Sequence, residues 1–159
     1  MSTENAKLIL TNDLIATDLV VADKWEAIEK LSALHLAKGY VREEYAAKVR
    51  EREEGFPTGL PTSPFGVAIP HTWAEHCIKP AVAVGILRNS VKWLEMGSND
   101  KELDVRIVLL LSITEPEAQV HFLRQLIDFF IVPENIEKLI KSTGVESVKE
   151  ILKTGLPIE

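Results

Sequence analysis

The chain begins with short apolar pieces set among polar residues. Leu8-Ile9-Leu10 and Leu19-Val20-Val21 are each long enough for a short strand or an edge segment. A helical pattern follows. Asp23 precedes it and Glu26 stands three residues on, the spacing of a capping box. The helix is predicted from about Lys24 to Lys38, with Ile28, Leu31 and His35 on one face and Gly39 as a left-handed stop. A second helix is predicted from Arg42 to Glu54, ended by Gly55. Val41, Tyr45 and Val49 mark its inner face, and Arg52, three positions beyond Val49, continues it. A guanidinium at the inner end of an apolar stripe points toward whatever lies past the helix.

Phe56 to Phe65 reads as a loop, rich in proline and threonine. The run Gly66-Val67-Ala68-Ile69 is a short buried strand stopped by Pro70, which cannot donate to a ladder. His71 is thereby held at the mouth of a strand, where α/β sheets place their chemistry. Thr72 to Lys79 is short and irregular. Ala81 to Leu87 is a second buried strand, Val91 to Leu94 an edge piece, and Met96 to Leu103 a polar loop. Val105 to Ile113 is the most apolar run in the chain and is predicted to be a central strand buried on both faces. Pro116 suits the first turn of a helix reaching about Ile131, with Val120, Leu123, Leu126, Ile127 and Phe130 as its apolar positions and Pro133 closing it. Two more helices are predicted, Glu134 to Lys141 and Val145 to Lys153. Strands alternating with helices predict an α/β fold with a largely parallel or mixed sheet.

Composition narrows the function classes. A chain of 159 residues is read as one domain, 1–159, able to bury a core. A net charge of -6 and a pI near 5.3 argue against nucleic acid and against an anionic membrane surface. One cysteine, Cys77, excludes an internal disulfide and suits a reducing cytoplasm. Met1 to Leu10 lacks a signal-peptide pattern, and the apolar runs fall far short of a membrane span.

The candidate chemistry centres on His71. The residue pattern alone leaves two readings: a loop histidine hydrogen-bonded to its surroundings, which the pattern favours, or a nucleophile. A neutral imidazole has a free nitrogen that attacks a phosphoryl donor directly. Such a site needs one nitrogen exposed, the other fixed by a hydrogen bond, and cationic or N–H donors for the phosphoryl oxygens. Arg52 fits the cation role, although a basic residue near a helix C-terminus is favourable on its own account. Thr58, between Pro57 and Gly59, offers a hydroxyl to phosphate or is an ordinary turn residue. His76 and Cys77 raise a metal site with His71, but the spacing matches no standard zinc signature. His35 reads as a core histidine and Cys77 as a small buried residue. Gln119 and His121 stand two apart on a helix and therefore point about 200° apart. Gln119 shares the face of Leu123, Leu126 and Phe130, whereas His121 falls with Arg124 and Asp128 on the polar side.

Glu51-Arg52-Glu53-Glu54-Gly55-Phe56-Pro57-Thr58-Gly59-Leu60 followed by Gly66-Val67-Ala68-Ile69-Pro70-His71 resembles a known family. It is similar to the mannitol/fructose-type enzyme IIA of the bacterial phosphoenolpyruvate-dependent sugar phosphotransferase system, and most similar to its galactitol branch. The resemblance covers nearly the whole chain. It implies a mixed, mostly parallel β-sheet flanked by helices on both faces. It implies a phosphotransferase that takes a phosphoryl group from the phosphocarrier protein HPr onto His71 and passes it to a cysteine of an EIIB partner, feeding sugar uptake through the EIIC membrane component. It implies that Arg52 helps bind the phosphoryl group, and that no cofactor or metal is needed. Many members carry a second active-site histidine where this chain has Gln119; a glutamine still donates a hydrogen bond there but carries no charge. Thr72 stands where a small residue is common. Phe56, Leu60, Phe65 and Trp73 are expected to form an apolar docking rim. A regulatory, nitrogen-type enzyme IIA phosphorylated on the same histidine is the alternative. A non-catalytic metal domain relying on His76 and Cys77 is a third.

Overall fold

The computed structural model describes residues 6–159; the first five residues, within the Met1–Leu10 stretch read above, lie outside it. Ten elements follow one another: β1 (Ile15–Leu19), α1 (Lys24–Ala37), α2 (Tyr45–Gly55), β2 (Gly59–Leu60), β3 (Gly66–Ala68), β4 (Ala81–Leu94), β5 (Glu102–Ser112), α3 (Pro116–Phe130), α4 (Pro133–Lys141) and α5 (Val145–Lys153). The sheet is mixed, in the order β1-β4-β5-β3-β2. The pairs β1–β4 and β3–β5 are parallel; β4–β5 and β2–β3 are antiparallel.

The strongest local signals form as expected. Asp23 caps α1 by accepting from the Glu26 N–H at 2.9 Å, while the Glu26 carboxylate reaches back to the Ala22 N–H at 2.9 Å. Gly39 ends the segment with φ of +74°, a conformation that favours glycine. The apolar run in β5 occupies the middle of the sheet, and Ile107 to Ser112 are all buried. Alternate residues of that run face two separate cores. Ile107, Leu109 and Leu111 pack with Phe122 and Phe130 of α3 and with Leu139 and Leu152 of α4 and α5. Val108 and Leu110 pack with Leu31 of α1 and Val49 of α2. The helices therefore cover both faces of the sheet, and apolar residues are favoured along the covered part of its central strand, Ile107 to Leu111.

Four features differ from the pattern. Leu8 and Ile9 make only isolated bridges, and the edge strand is Ile15–Leu19, so Val20 is left exposed. That strand exists because it pairs with β4, Ile15 opposite Val84, not because its own sequence alternates cleanly. The two pieces Ala81–Leu87 and Val91–Leu94 are one strand with an irregularity after Ile86, and exposed Arg88, Asn89 and Ser90 ride on the bend. β2 was hidden in the proline-rich loop; a Cβ on Gly59 would lie 2.6 Å from the Leu94 carbonyl oxygen, so the loop presses against the end of β4 only because that residue is glycine. Finally, α3 buries Ala118, Phe122, Leu126, Phe129 and Phe130, and leaves Val120 and Ile127 exposed. The chain offered more apolar positions than one helix face accommodates, and packing against the sheet selected the i, i+4, i+8 row.

The topology builds a site. β3 and β5 run parallel, so their C-terminal ends lie at the same edge of the sheet. The turn after β3 carries His71 and the helix after β5 carries Gln119. Residues 48 apart in sequence are thereby brought together.

Candidate active site

His71 follows the Ile69–Pro70 corner, which is fixed from two sides. The Leu111 N–H donates to the Pro70 carbonyl at 3.0 Å, and the Ile69 N–H donates to the Thr58 carbonyl at 3.3 Å. The imidazole Nδ1 lies 2.8 Å from the Ile69 carbonyl oxygen. A carbonyl only accepts, so Nδ1 carries the proton and Nε2 keeps its lone pair. The Ile69 carbonyl belongs to a peptide bond with proline, so its amide has no N–H of its own. Burial, above all, holds the imidazole pKa below its ordinary value; the Ile69 bond opposes this and the positive charge of Arg52 adds to it. The neutral, Nε2-nucleophilic form is therefore the one present at pH 7.

The second nitrogen is covered. His71 is 4% exposed, and the Gln119 side-chain amide lies 3.3 Å from Nε2, placed to donate to its lone pair. Gln119, four positions into α3, is thus the helix residue that meets the histidine. His121 does not, and it is less solvated than its polar neighbours suggested: its Nε2 is shielded and unpaired. Gln119 is also close to the helix N-terminus, where the macrodipole favours an anion.

Arg52 lies at the last turn of α2, partly buried, with Nε shielded and unpaired. Its guanidinium stacks 4.1 Å from the centroid of Trp73 and 5.3 Å from that of Phe56. Both rings are largely exposed, at 51% and 64%. Phe56 and Trp73, two of the four residues expected on an apolar rim, thus stack against the arginine. Leu60 is a correction: it pairs in β2, is 6% exposed and belongs to the core. Phe65 is partly buried under Arg106, whose guanidinium lies 5.2 Å from its ring.

Thr58, expected to offer its hydroxyl to phosphate, has both donors engaged elsewhere. Its N–H and its O–H each donate to the Glu53 carboxylate at 2.7 Å, and the Trp93 indole N–H adds a third bond at 2.9 Å. Glu53 is 2% exposed. The sequence reading passed over it, although Tyr45, Val49 and Glu53 are spaced by four and are the buried positions of α2. Burial raises its pKa, against the Thr58 and Trp93 hydrogen bonds.

The other candidates are accounted for locally. His35 is fully buried and donates from Nε2 to the Leu110 carbonyl at 2.9 Å. Burial depresses its pKa to about 4. His76 Nδ1 pairs with Glu44 at 2.9 Å, and the Cys77 thiol is buried and pushed up in pKa by that burial. Among the described residues, no group of three or more His, Cys, Asp and Glu side chains is arranged to hold a metal ion. Nor is any helix among them long and apolar enough to cross a membrane.

Known proteins resemble this chain in sequence and in fold. Residues 8–155 match the family model for the phosphoenolpyruvate-dependent sugar phosphotransferase system, EIIA 2. The galactitol-specific EIIA component of Escherichia coli K12 is 28% identical over 131 residues, covering 82% of this chain and 87% of that protein. The structure of enzyme IIAMTL in complex with phosphorylated enzyme IIBMTL from Escherichia coli superposes with a TM-score of 0.76 at 26% identity, covering 92% of this chain and 99% of that one. The nitrogen regulatory protein IIA-Ntr of Neisseria meningitidis shares the fold, with a TM-score of 0.71 at 21% identity over 91% of this chain and 96% of that one.

Proposed function

We propose a specific phosphoryl relay from one premise: the chain belongs to the EIIA 2 family of the phosphoenolpyruvate-dependent sugar phosphotransferase system. Membership implies phosphotransferase-type activity and a phosphocarrier role in that system. The finer reading is that residues 1–159 act as one EIIA domain, that His71 accepts the phosphoryl group from phospho-HPr, and that it passes the group to a cysteine of a cognate EIIB. The observation that carries it is the His71 tautomer. With Nδ1–H donated to the Ile69 carbonyl, Nε2 is left as a neutral nucleophile beside a cation and an amide donor.

In the first step the Nε2 lone pair attacks phosphorus in line. A new N–P bond forms on His71 as the N–P bond of the donor breaks, and that electron pair returns to the donor imidazole. No proton leaves His71. The ring carries positive charge while Nδ1–H remains, and the Ile69 carbonyl stabilises that charge. Gln119 must swing off Nε2 as phosphorus arrives, and its amide then donates to a phosphoryl oxygen. Arg52 neutralises the transferring group, and Thr58 contributes from behind through the loop it anchors. In the second step the EIIB thiolate attacks phosphorus, a P–S bond forms, and the N–P electron pair restores the neutral imidazole.

Exposed Phe56 and Trp73 form the docking rim for both partners, and a relay requires such contacts to be transient. The EIIB assignment is favoured by the IIAMTL–IIBMTL complex. EIIC is reached only indirectly, through EIIB. The Phe-Pro-Thr-Gly run and the galactitol-specific relative favour galactitol or a related polyol as the transported sugar, and transport over a regulatory role. The site of action is the cytoplasm. The test is incubation with phosphoenolpyruvate, enzyme I and HPr. Wild type acquires acid-labile, base-stable phosphate and His71→Ala does not; label that survives in His71→Ala refutes the assignment.

A further inference from the structure

We propose that Glu53 is a positioning residue for the His71 nucleophile: its carboxylate clamps Thr58, the Thr58 carbonyl holds the Ile69 N–H, and the Ile69 carbonyl holds His71 Nδ1–H. The inference rests on the phosphocarrier reading for its consequence but not for its geometry.

A carboxylate 2% exposed at the inner end of a helix is a costly choice. A hydrophobic residue of similar volume commonly serves stability as well or better than a buried charge. Glu53 is fully engaged, however. Its Oε2 accepts from the Thr58 N–H and the Trp93 indole, and its Oε1 accepts from the Thr58 hydroxyl. Three donors on two oxygens fix the plane of the carboxylate and, with it, both the backbone and the side chain of Thr58. Thr58 immediately precedes β2, which pairs with β3 through Gly59 opposite Ala68. One residue beyond that pair, the Thr58 carbonyl takes the Ile69 N–H. The segment presenting His71 is thus tied at its base to α2 and, through Trp93, to β4. Arg52 is the neighbour of Glu53 in the same turn, so one anchor sets the spacing between cation and nucleophile.

Glu53 touches no reacting atom, so its effect must be read at His71. The experiment measures the ¹⁵N shifts of the His71 imidazole and the rate of phosphoryl uptake from phospho-HPr, with kcat and KM separated. In wild type the shifts report the Nδ1–H tautomer. Glu53→Met is expected to reduce that tautomer's share and to lower kcat about 10- to 100-fold with little change in KM, the scale of a small misplacement of a reacting group. Glu53→Gln is expected to stay within about 3-fold of wild type. Its amide oxygen can take both N–H donors, and the Thr58 hydroxyl can turn to accept from its NH₂. Leu139→Ala, in the core on the other face of the sheet, supplies a destabilised control that keeps the wild-type tautomer and rate. If Glu53→Met does not fold, Thr58→Val removes the hydroxyl bond alone and should shift the tautomer in the same direction. A wild-type tautomer and kcat in Glu53→Met, or in Thr58→Val where that is the variant that folds, overturns the proposal. So does a loss in Glu53→Met that Leu139→Ala reproduces at equal stability. If wild type takes no phosphoryl group, the phosphocarrier reading falls, while the tautomer shift still decides the role of Glu53.

Discussion

Arg52→Lys keeps the charge and removes the geometry, which makes it the most discriminating change at the site. The guanidinium stacks at 4.1 Å from Trp73 and 5.3 Å from Phe56. Both rings are at least half exposed, so each contact contributes about 0.5–1 kcal/mol. A charge-assisted hydrogen bond to a phosphoryl oxygen contributes about 1.5–3 kcal/mol. Lysine is a hydrated point charge without a planar fork, so it loses the stacking and part of the hydrogen bonding. About 2–4 kcal/mol of transition-state stabilisation is at stake, or about 30- to 900-fold in rate. Single-turnover uptake of label from phospho-HPr, measured over a range of donor concentrations, separates kcat from KM. Trp73→Ala alone should lower kcat about 2- to 5-fold by releasing the arginine. In the Arg52→Lys background that kcat effect should vanish, because the two changes remove one interaction. Any KM effect of Trp73→Ala, which reflects docking, should persist in both backgrounds. An Arg52→Lys rate within about 3-fold of wild type would show that charge alone suffices, against the geometric reasoning. Equal kcat losses from Trp73→Ala in both backgrounds would show that Trp73 does not act through Arg52.

The remaining predictions concern the helix opposite His71 and the buried histidines. Gln119→Ala removes the amide placed beside Nε2 to donate to the incoming phosphoryl oxygen, about 0.5–1.5 kcal/mol, and should slow uptake about 2- to 10-fold, while His121→Ala should stay within about 2-fold; the reverse order refutes the helix-face assignment. His35 titrates at about 4 in the fold against 6.5 in an unfolded chain, so its contribution is complete above pH 6.5 and lost as pH falls toward 4. The gap of about 2.5 pH units corresponds to about 3 kcal/mol. Urea unfolding at pH 7 and pH 4.5 should show that loss, to which the depressed His71 adds in the same direction, and His35→Leu should flatten it. An unchanged pH slope in His35→Leu refutes the assignment.

Legibility from sequence followed the range of the interaction. Asp23, Glu26 and Gly39 act on backbone groups within a few residues, so the limits of α1 could be read directly. Val105–Ile113 announced a doubly buried strand because all its positions but Arg106 and Ser112 are apolar. β1 was misplaced because Ile15-Ala16-Thr17-Asp18-Leu19 has little strand character of its own and depends on pairing with β4. Pro133, read as closing one helix, opens α4 at its first position, since proline suits both roles. Leu60 looked like a rim residue because a proline-rich loop gives no hint that two of its residues pair into a sheet.

Sequence alone singled out two candidates: a proline stops the strand before His71, and helical spacing puts Arg52 at the inner end of α2. It also determined that Gln119 and His121 cannot share a face, since two steps of a helix turn a side chain about 200°. How those residues meet follows from the packing of separate elements. The parallel pairing of β3 with β5 brings Gln119 onto His71 Nε2. The Ile69 carbonyl chooses the tautomer, Trp73 and Phe56 brace Arg52, and Glu53 turns the Thr58 donors inward. Each of these is a contact whose direction depends on how separate elements pack, and spacing along a chain carries no such direction.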